Sequence, residues 1–289
     1  MTRARETLGI WLALAPALAV VGLLVGASLI YGVAQSLGAL PVAGAGRLSL
    51  DAYRGLLSGS GPAAREFWPS LGFSLWVSGA STLAALGALL VAAALTGGRR
   101  QPAGATLLVL NLNLAFPHLV WAVALSLLLA QSGLLARVAF ALGLIDAPAA
   151  FPVLVRDRYG LGIILHYVSK EIPFLALIVL AVLRTQGPTY DLVAENLGAS
   201  AWQRLRYVTL PLVLPALAAG SALVFAFVFG AYEVPALLGV RFPRTLAVLA
   251  LEFFVNPDLN RRAEGMAISL LISIVTLAVV GLASVKRRT

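Results

Sequence analysis

The sequence predicts an all-α, polytopic membrane protein of about six transmembrane helices, and three observations carry that expectation. Hydrophobic residues make up 60% of the chain and charged residues only 11%, against roughly a quarter charged in an ordinary soluble domain. Mean hydropathy is +0.94. Charge is absent from Thr7 to Gly46, from Phe67 to Gly98 and from Gln101 to Ala136, each stretch exceeding the ~20 residues that cross a bilayer. Spans of that length leave connecting loops but no room for a further soluble enzyme domain, so residues 1–289 read as a single membrane domain.

The first span, 8–34, follows Arg3, Arg5 and Glu6; it far exceeds the ~7–15-residue apolar core of a signal peptide, so it reads as uncleaved. The second is 70–95 and the third 106–130. Asn111, Asn113 and His118 surround Pro117 in the third, where a kink would free backbone groups. Asn111 and His118 share a face there, Asn113 does not, and interhelical hydrogen bonds are expected. Leu134, Leu135, Val138, Ala139 and Leu142 recur at helical spacing within 131–160, consistent with an amphipathic helix at the outer surface or a re-entrant segment. The fourth span, 161–183, is interrupted by adjacent Lys170 and Glu171; the fifth, 212–238, carries Glu233 near its end; the sixth is 263–285.

Arg3, Arg5, Arg99, Arg100, Arg184, Arg204, Arg206, Lys286, Arg287 and Arg288 fall on short segments at span ends, whereas the basic residues of the other side, from Arg47 to Arg262, are spread over longer ones. That density places both termini in the cytoplasm. It also accounts for the net charge of +9 without a nucleic-acid partner. The chain has no cysteine, which excludes disulfides, thiolate nucleophiles and Cys-ligated metals. With His118 and His166 as its two histidines, no metal site is expected.

The segment at about 186–211 is too long for a simple turn and too polar for a span. Tyr190 to Leu197 allows about two helical turns, Gly198 supplies a position free to take positive φ, and a second helix bearing Trp202 and Leu205 leads to Leu210-Pro211. Such a helix-break-helix suits docking into a groove on another protein; an interfacial amphipathic hairpin without a partner fits the pattern equally.

The same segment resembles the EAA loop of the inner-membrane permease subunits of binding-protein-dependent ABC importers, whose pattern is Glu-Ala-Ala, three residues, Gly, nine residues, Ile, one residue, Leu-Pro. Ala194 stands at the second Ala, Gly198 at the Gly, Val208 at the Ile and Leu210-Pro211 at the Leu-Pro, without a gap. Leu192 replaces the family's Glu and Val193 its first Ala, with carboxylates displaced to Asp191 and Glu195. The runs Leu197–Trp202 and Phe229–Gly239 are similar to the spermidine and putrescine permeases, with ferric iron and thiamine permeases close by.

The resemblance implies a subunit of a bacterial-type inner membrane that forms half of a pore. A second permease chain, homologous or identical, two cytoplasmic ATPase subunits and an extracytoplasmic substrate-binding protein would complete the system within membrane lipid. It makes the loop a coupling helix, with Asp191, Ala194, Glu195, Gly198, Ala199, Trp202, Arg204, Leu210 and Pro211 as the coupling residues. Independently, neither lysine stands in a phosphate-binding Gly-Lys-Ser/Thr loop, since Lys170 precedes Glu171 and Lys286 precedes Arg287. This chain is therefore expected to bind no ATP and to hold no cofactor, its energy coming from a partner or an ion gradient; the resemblance assigns ATP and Mg to the partner ATPase subunits. No nucleophile motif or catalytic cluster is present, so no enzyme activity is expected.

A charge at bilayer centre costs at least ~2.5–3.5 kcal/mol, which makes Lys170, Glu171 and, with Tyr232 beside it, Glu233 candidates for the translocation path. Lys170 and Glu171 lie ~100° apart on a helix and seek partners elsewhere, so a structural interhelical pair is an equal reading. Glu233, near the outer end of its span, is less costly. Carboxylates at Glu171 and Glu233 would suit a cationic cargo such as a polyamine, thiamine or ferric iron. One rival is an ion-gradient-driven transporter using these charges as a relay, although no duplicated hydropathy signature accompanies it. Another, a lipid enzyme built on Arg156, Asp157, Arg158 and His166, lacks a recognisable motif.

Overall fold

A computed structural model describes residues 2–39, 48–60, 63–96 and 104–285, and every regular element among them is helical. Arg47, Arg99, Arg100, Lys286, Arg287 and Arg288, which carry part of the orientation argument, lie outside the described residues. Six helical stretches are long and apolar enough to cross a membrane: Trp11–Ser36, Ala64–Ala93, His118–Ala141, Leu161–Thr185, Ala201–Gly230 and Arg262–Ala283.

The expected count of six is met, but the third span is displaced. The 106–130 stretch divides into α4 (Gly104–Ala115) and α5 (His118–Leu129). Pro117 offers no amide to the helix and disfavours helical geometry at Phe116. The membrane-length stretch continues instead through α6 (Leu134–Ala141), which the sequence reading had assigned to a surface helix or re-entrant segment. The fifth span is likewise displaced from 212–238: its membrane-length stretch is Ala201–Gly230, α9 (Leu210–Gly230) ends where Ala231 turns extended, and α10 (Glu233–Leu238) is a separate short helix.

A further difference concerns the segment between spans four and five. It is not a free loop holding its own two helical turns, because α7 runs unbroken from Leu161 to Asn196. The second helical part begins as α8 (Ala201–Arg204), passes through one π-helical turn, Leu205–Thr209, and becomes α9. Only Leu197–Ser200 interrupts the helix. Sequence polarity marked where the chain leaves the apolar phase, not where its backbone hydrogen bonding stops.

The chain divides into two compact units. The first takes Met1–Arg65 and Ala250–Leu270 and includes α1 (Thr2–Ser36) and α2 (Asp51–Ser58). Tyr53 Oη donates to Ser36 Oγ at 2.8 Å, and the Ala63 amide donates to Glu264 Oε2 at 3.1 Å. The second takes Glu66–Leu249 and Leu271–Thr289. Its core packs α7 along α9, with Phe73, Val77, Ile163, Tyr167, Leu175, Leu217 and Val224 buried. In lipid, apolar residues gain little by leaving their surroundings, so close backbone approach has to supply the packing. Gly220 provides it: a Cβ there would lie 2.8 Å from Ile178 Cδ1 and 3.1 Å from Leu175 Cδ2.

Candidate functional site

The functional candidates gather at two places along α7. At ~1.5 Å per residue, Glu171 lies ~15 Å from the helix start, near mid-bilayer, and Asp191 lies ~30 Å further on.

At the mid-bilayer place, the break at Pro117 leaves the last carbonyls of α4 without intrahelical partners. No water replaces them in a bilayer core, so a side chain has to. Lys170 Nζ donates to the carbonyls of Asn113 and Phe116, at 2.5 and 2.8 Å, from a side chain only 2% exposed. The ammonium thus sits at the negative end of the α4 dipole. The charge is matched by backbone rather than by the carboxylate partner the sequence invited.

α5 is stitched to α7 beside this cap. His118 Nδ1 lies 3.2 Å from His166 Nε2, so one ring donates to the other. Trp121 Nε1 donates to Ser169 Oγ at 2.8 Å, and that hydroxyl donates to the His166 carbonyl at 2.7 Å. The Phe227 ring of α9 closes on His118 with centroids 5.0 Å apart. Asn111, expected to bond between helices, instead donates to the Leu107 carbonyl of its own helix. Among the described residues no group of three His, Cys, Asp or Glu side chains converges as a metal site would require.

Glu171 differs from its neighbour. It is 6% exposed, lies within Coulombic reach of Lys170, and makes no hydrogen bond or ion pair among the described residues. It borders a cavity of about 360 Å³ with Lys170, Leu114, His118, Phe174, Leu223 and Phe227. Glu233 opens α10 just after Tyr232, within electrostatic range of His118 and Tyr167. The two chain breaks, at Pro117 and at Ala231–Tyr232, therefore bring Glu171, Glu233 and the imidazole pair into one neighbourhood.

At the far end of α7, the amides of Gly198 and Ala199 bond the carbonyls of Glu195 and Ala194, at 2.9 and 3.0 Å. Gly198 takes φ +81°. Together these form the paired helix-ending turn in which glycine avoids a left-handed Cβ penalty. Ser200 then caps α8: the Gln203 amide donates to Ser200 Oγ, and the Ser200 amide donates to Gln203 Oε1 at 2.8 Å. The Ser-x-x-Gln spacing was a readable signal that the sequence reading missed.

Arg204 folds back under this elbow. It is 3% exposed, with Nη1 2.7 Å from Glu195 Oε2 and Nε 3.5 Å from Asp191 Oδ1. The displaced carboxylates thus brace the elbow from within. Asp191 and Glu195 are spaced to share a helix face, which signalled a common partner without naming it. Trp202 and Leu197 stand exposed at the tip. Ala194 and Pro211 line a groove of about 680 Å³ with Tyr190 and Tyr207, while Leu210 begins α9.

Residues 84–287 match the model of the binding-protein-dependent transport system inner membrane component family. The chain is 34% identical over 208 residues to the inner membrane ABC transporter permease protein YnjC of Escherichia coli K12, covering 69% of this chain and 38% of that protein. It is 29% identical over 172 residues to the molybdenum transport system permease protein ModB of Mycobacterium tuberculosis, covering 58% and 60%. The alignments thus span about two fifths of the first relative and three fifths of the second. The solved structure of a bacterial ABC transporter involved in the import of the acidic polysaccharide alginate superposes with a TM-score of 0.77 at 17% identity, over 99% of this chain and 97% of that one. At such identity the likeness speaks for the fold alone. By its family match and its membrane-spanning helices, the chain belongs to the binding-protein-dependent transport system inner membrane components.

Proposed function

We propose that this chain is the permease subunit of an ABC importer, a single membrane domain that forms half of the translocation pore. Two cytoplasmic ATPase subunits bind ATP and Mg and hydrolyse the ATP, a second permease chain completes the pore, and an external binding protein delivers the cargo. In this reading the chain lies in a bacterial-type inner membrane with both termini cytoplasmic. The elbow at Asp191–Arg204 is the cytoplasmic coupling element.

One observation carries the reading beyond family membership. The elbow is held from inside by Arg204 and by the turn at Gly198, while Trp202 and Leu197 project from it without cover. A rigid base with an exposed apolar tip is what docking into a groove of another protein requires. The base continues directly into α7, so a push at the tip reaches Lys170 and Glu171 through one uninterrupted helix. Lys170, Glu171, Tyr232 and Glu233 are the path residues in this proposal, and the cargo is a small organic cation of the polyamine kind. The compared systems, named for molybdenum and for an acidic polysaccharide, assign no cargo here; the carboxylates of Glu171 and Glu233 support a cation.

Extraction of the chain from its native membrane in mild detergent tests the proposal, with wild type and Trp202→Asp side by side. Recovery of an ATPase with wild type, and its loss from a correctly inserted Trp202→Asp chain, is the expected result. Repeated recovery of the chain alone, with uptake that follows the proton gradient, would establish an ion-driven transporter in its place.

A further inference from the structure

We infer that the outer end of the second span carries a binding site for an anionic phospholipid, its phosphate held by Arg158 and its acyl chain lying in a groove beside Trp76. The inference goes beyond the importer reading and rests on it only for the leaflet, which is the outer one when both termini are cytoplasmic.

One wall of the groove is α3 (Ala64–Thr96). Pro69, Gly72, Phe73 and Trp76 follow one another there at three- and four-residue spacing, which makes them one stripe of the helix. The other wall is the turn before α7 together with the stretch after α10, where Arg158, Tyr159, Phe242 and Pro243 complete an opening of about 380 Å³. Trp76 Nε1 donates to the Tyr159 carbonyl at 2.9 Å and ties the two walls together. Gly160, at φ +73°, lets the turn come close, since a Cβ there would lie 3.0 Å from Phe73 Cζ and from Val77 Cγ2. Tyr159 stands two residues before α7 begins, at the edge of the apolar phase. Trp76, Tyr159 and Phe242 are each more than half exposed. Exposed Trp and Tyr rings at that depth mark a membrane–water interface.

Arg158 is the one charged residue that lines the groove. Its guanidinium sits 5.4 Å from the centroid of the Tyr159 ring, and it has no carboxylate partner among the described residues. The acids nearby are engaged elsewhere. Asp157, 6% exposed, accepts the Tyr159 amide on Oδ2 at 2.9 Å and the Gly162 amide on Oδ1 at 3.3 Å, at the positive end of α7. Glu66 pairs with Arg244 at 2.8 Å. Arg156 and Arg241, both exposed, add positive charge to the same wall, whose two stretches are joined by the Arg156 amide donating to the Leu238 carbonyl at 2.7 Å. A phosphate diester matches a guanidinium in charge and by paired N–H···O bonds. The ammonium of a zwitterionic headgroup meets no free carboxylate here, so the wall favours a headgroup with net negative charge. The apolar stripe takes an acyl chain, which a free phosphate lacks. The exposed rings set the groove in the membrane interface, where lipid reaches it before a protein from the aqueous space does.

The test uses the full chain in mild detergent, with any subunits that stay bound. Dioleoylphosphatidylglycerol and dioleoylphosphatidylcholine are added at equal concentration, and the lipid retained is counted by native mass spectrometry. Wild type retains phosphatidylglycerol about fivefold over phosphatidylcholine, as one arginine at an anionic headgroup leads one to expect. Arg158→Gln brings the two lipids level. Gly72→Leu places its added side chain in open space and favours the helix, so it fills the groove and lowers phosphatidylglycerol retention severalfold without touching the charge. It carries the test should Arg158→Gln fail to fold. Equal retention of the two lipids by wild type, an undiminished preference in Arg158→Gln, or full retention in Gly72→Leu would overturn the site. Displacement of phosphatidylglycerol by inorganic phosphate would overturn it in favour of a free-anion site. Loss of an acidic external protein from Arg158→Gln, with lipid retention unchanged, would give the arginine to a protein partner instead. The lipid count does not depend on recovery of an ATPase, so failure of this site leaves the importer reading standing.

Discussion

Lys170 and Arg204 are both buried cations on the α7–α9 framework, and the structure satisfies them in opposite ways. Lys170 holds two backbone carbonyls freed by a proline break, whereas Arg204 holds two carboxylates one helical turn apart on α7. The first arrangement fixes a chain break that has no other hydrogen-bond source in the bilayer. The second fixes the angle at which α8 leaves α7, in a place that water can reach. The comparison teaches that the same type of charge serves as a backbone cap in the apolar phase and as an ion-pair brace outside it. The surrounding medium decides which partner is affordable.

Seven substitutions break or sharpen that contrast, each read as the unfolding midpoint of the purified chain in detergent. Lys170→Met has the largest expected effect, about 3 kcal/mol, since it strands two buried carbonyls at once; a loss below about 1 kcal/mol would show that α4 ends without its help. Arg204→Met costs about 2 kcal/mol, less than a fully buried pair would, because Asp191 and Glu195 remain 40% and 51% exposed and rehydrate. Adding Asp191→Asn and Glu195→Gln to Arg204→Met should restore most of that loss. If it does not, the guanidinium acts through packing rather than charge.

Gly220→Val, between the two regions, should cost about 1.5 kcal/mol by pressing on Leu175 and Ile178. A neutral result would mean that the α7–α9 contact yields easily. The smallest effect, about 1 kcal/mol, is expected for Gly198→Val. A Cβ there meets nothing within 4 Å, so the cost is the positive φ alone, and Gly198→Asn, which tolerates that conformation, should be close to wild type.

How much of this was legible varies with the range of the interaction. The turn at Gly198 is a local matter of backbone sterics, and the sequence placed it correctly. Pro117 announced a kink for the same reason. The length of α7 did not follow from composition, because a helix that leaves the membrane keeps its hydrogen bonds while its side chains turn polar. The third span was displaced because hydropathy measures apolar length and passes over a proline that breaks the helix.

By itself the sequence determined an all-helical membrane chain with six apolar spans, the left-handed turn at Gly198 and the presence of charges inside the fourth span. Each depends on residue type or on neighbours a few positions away. Only the tertiary structure decided that Lys170 caps α4, that His118 meets His166, that Arg204 gathers Asp191 and Glu195, and that Glu171 is left facing a cavity. Those pairings join residues on different helices or across a turn. They depend on which helix faces pack together, a choice that helical periodicity alone does not specify.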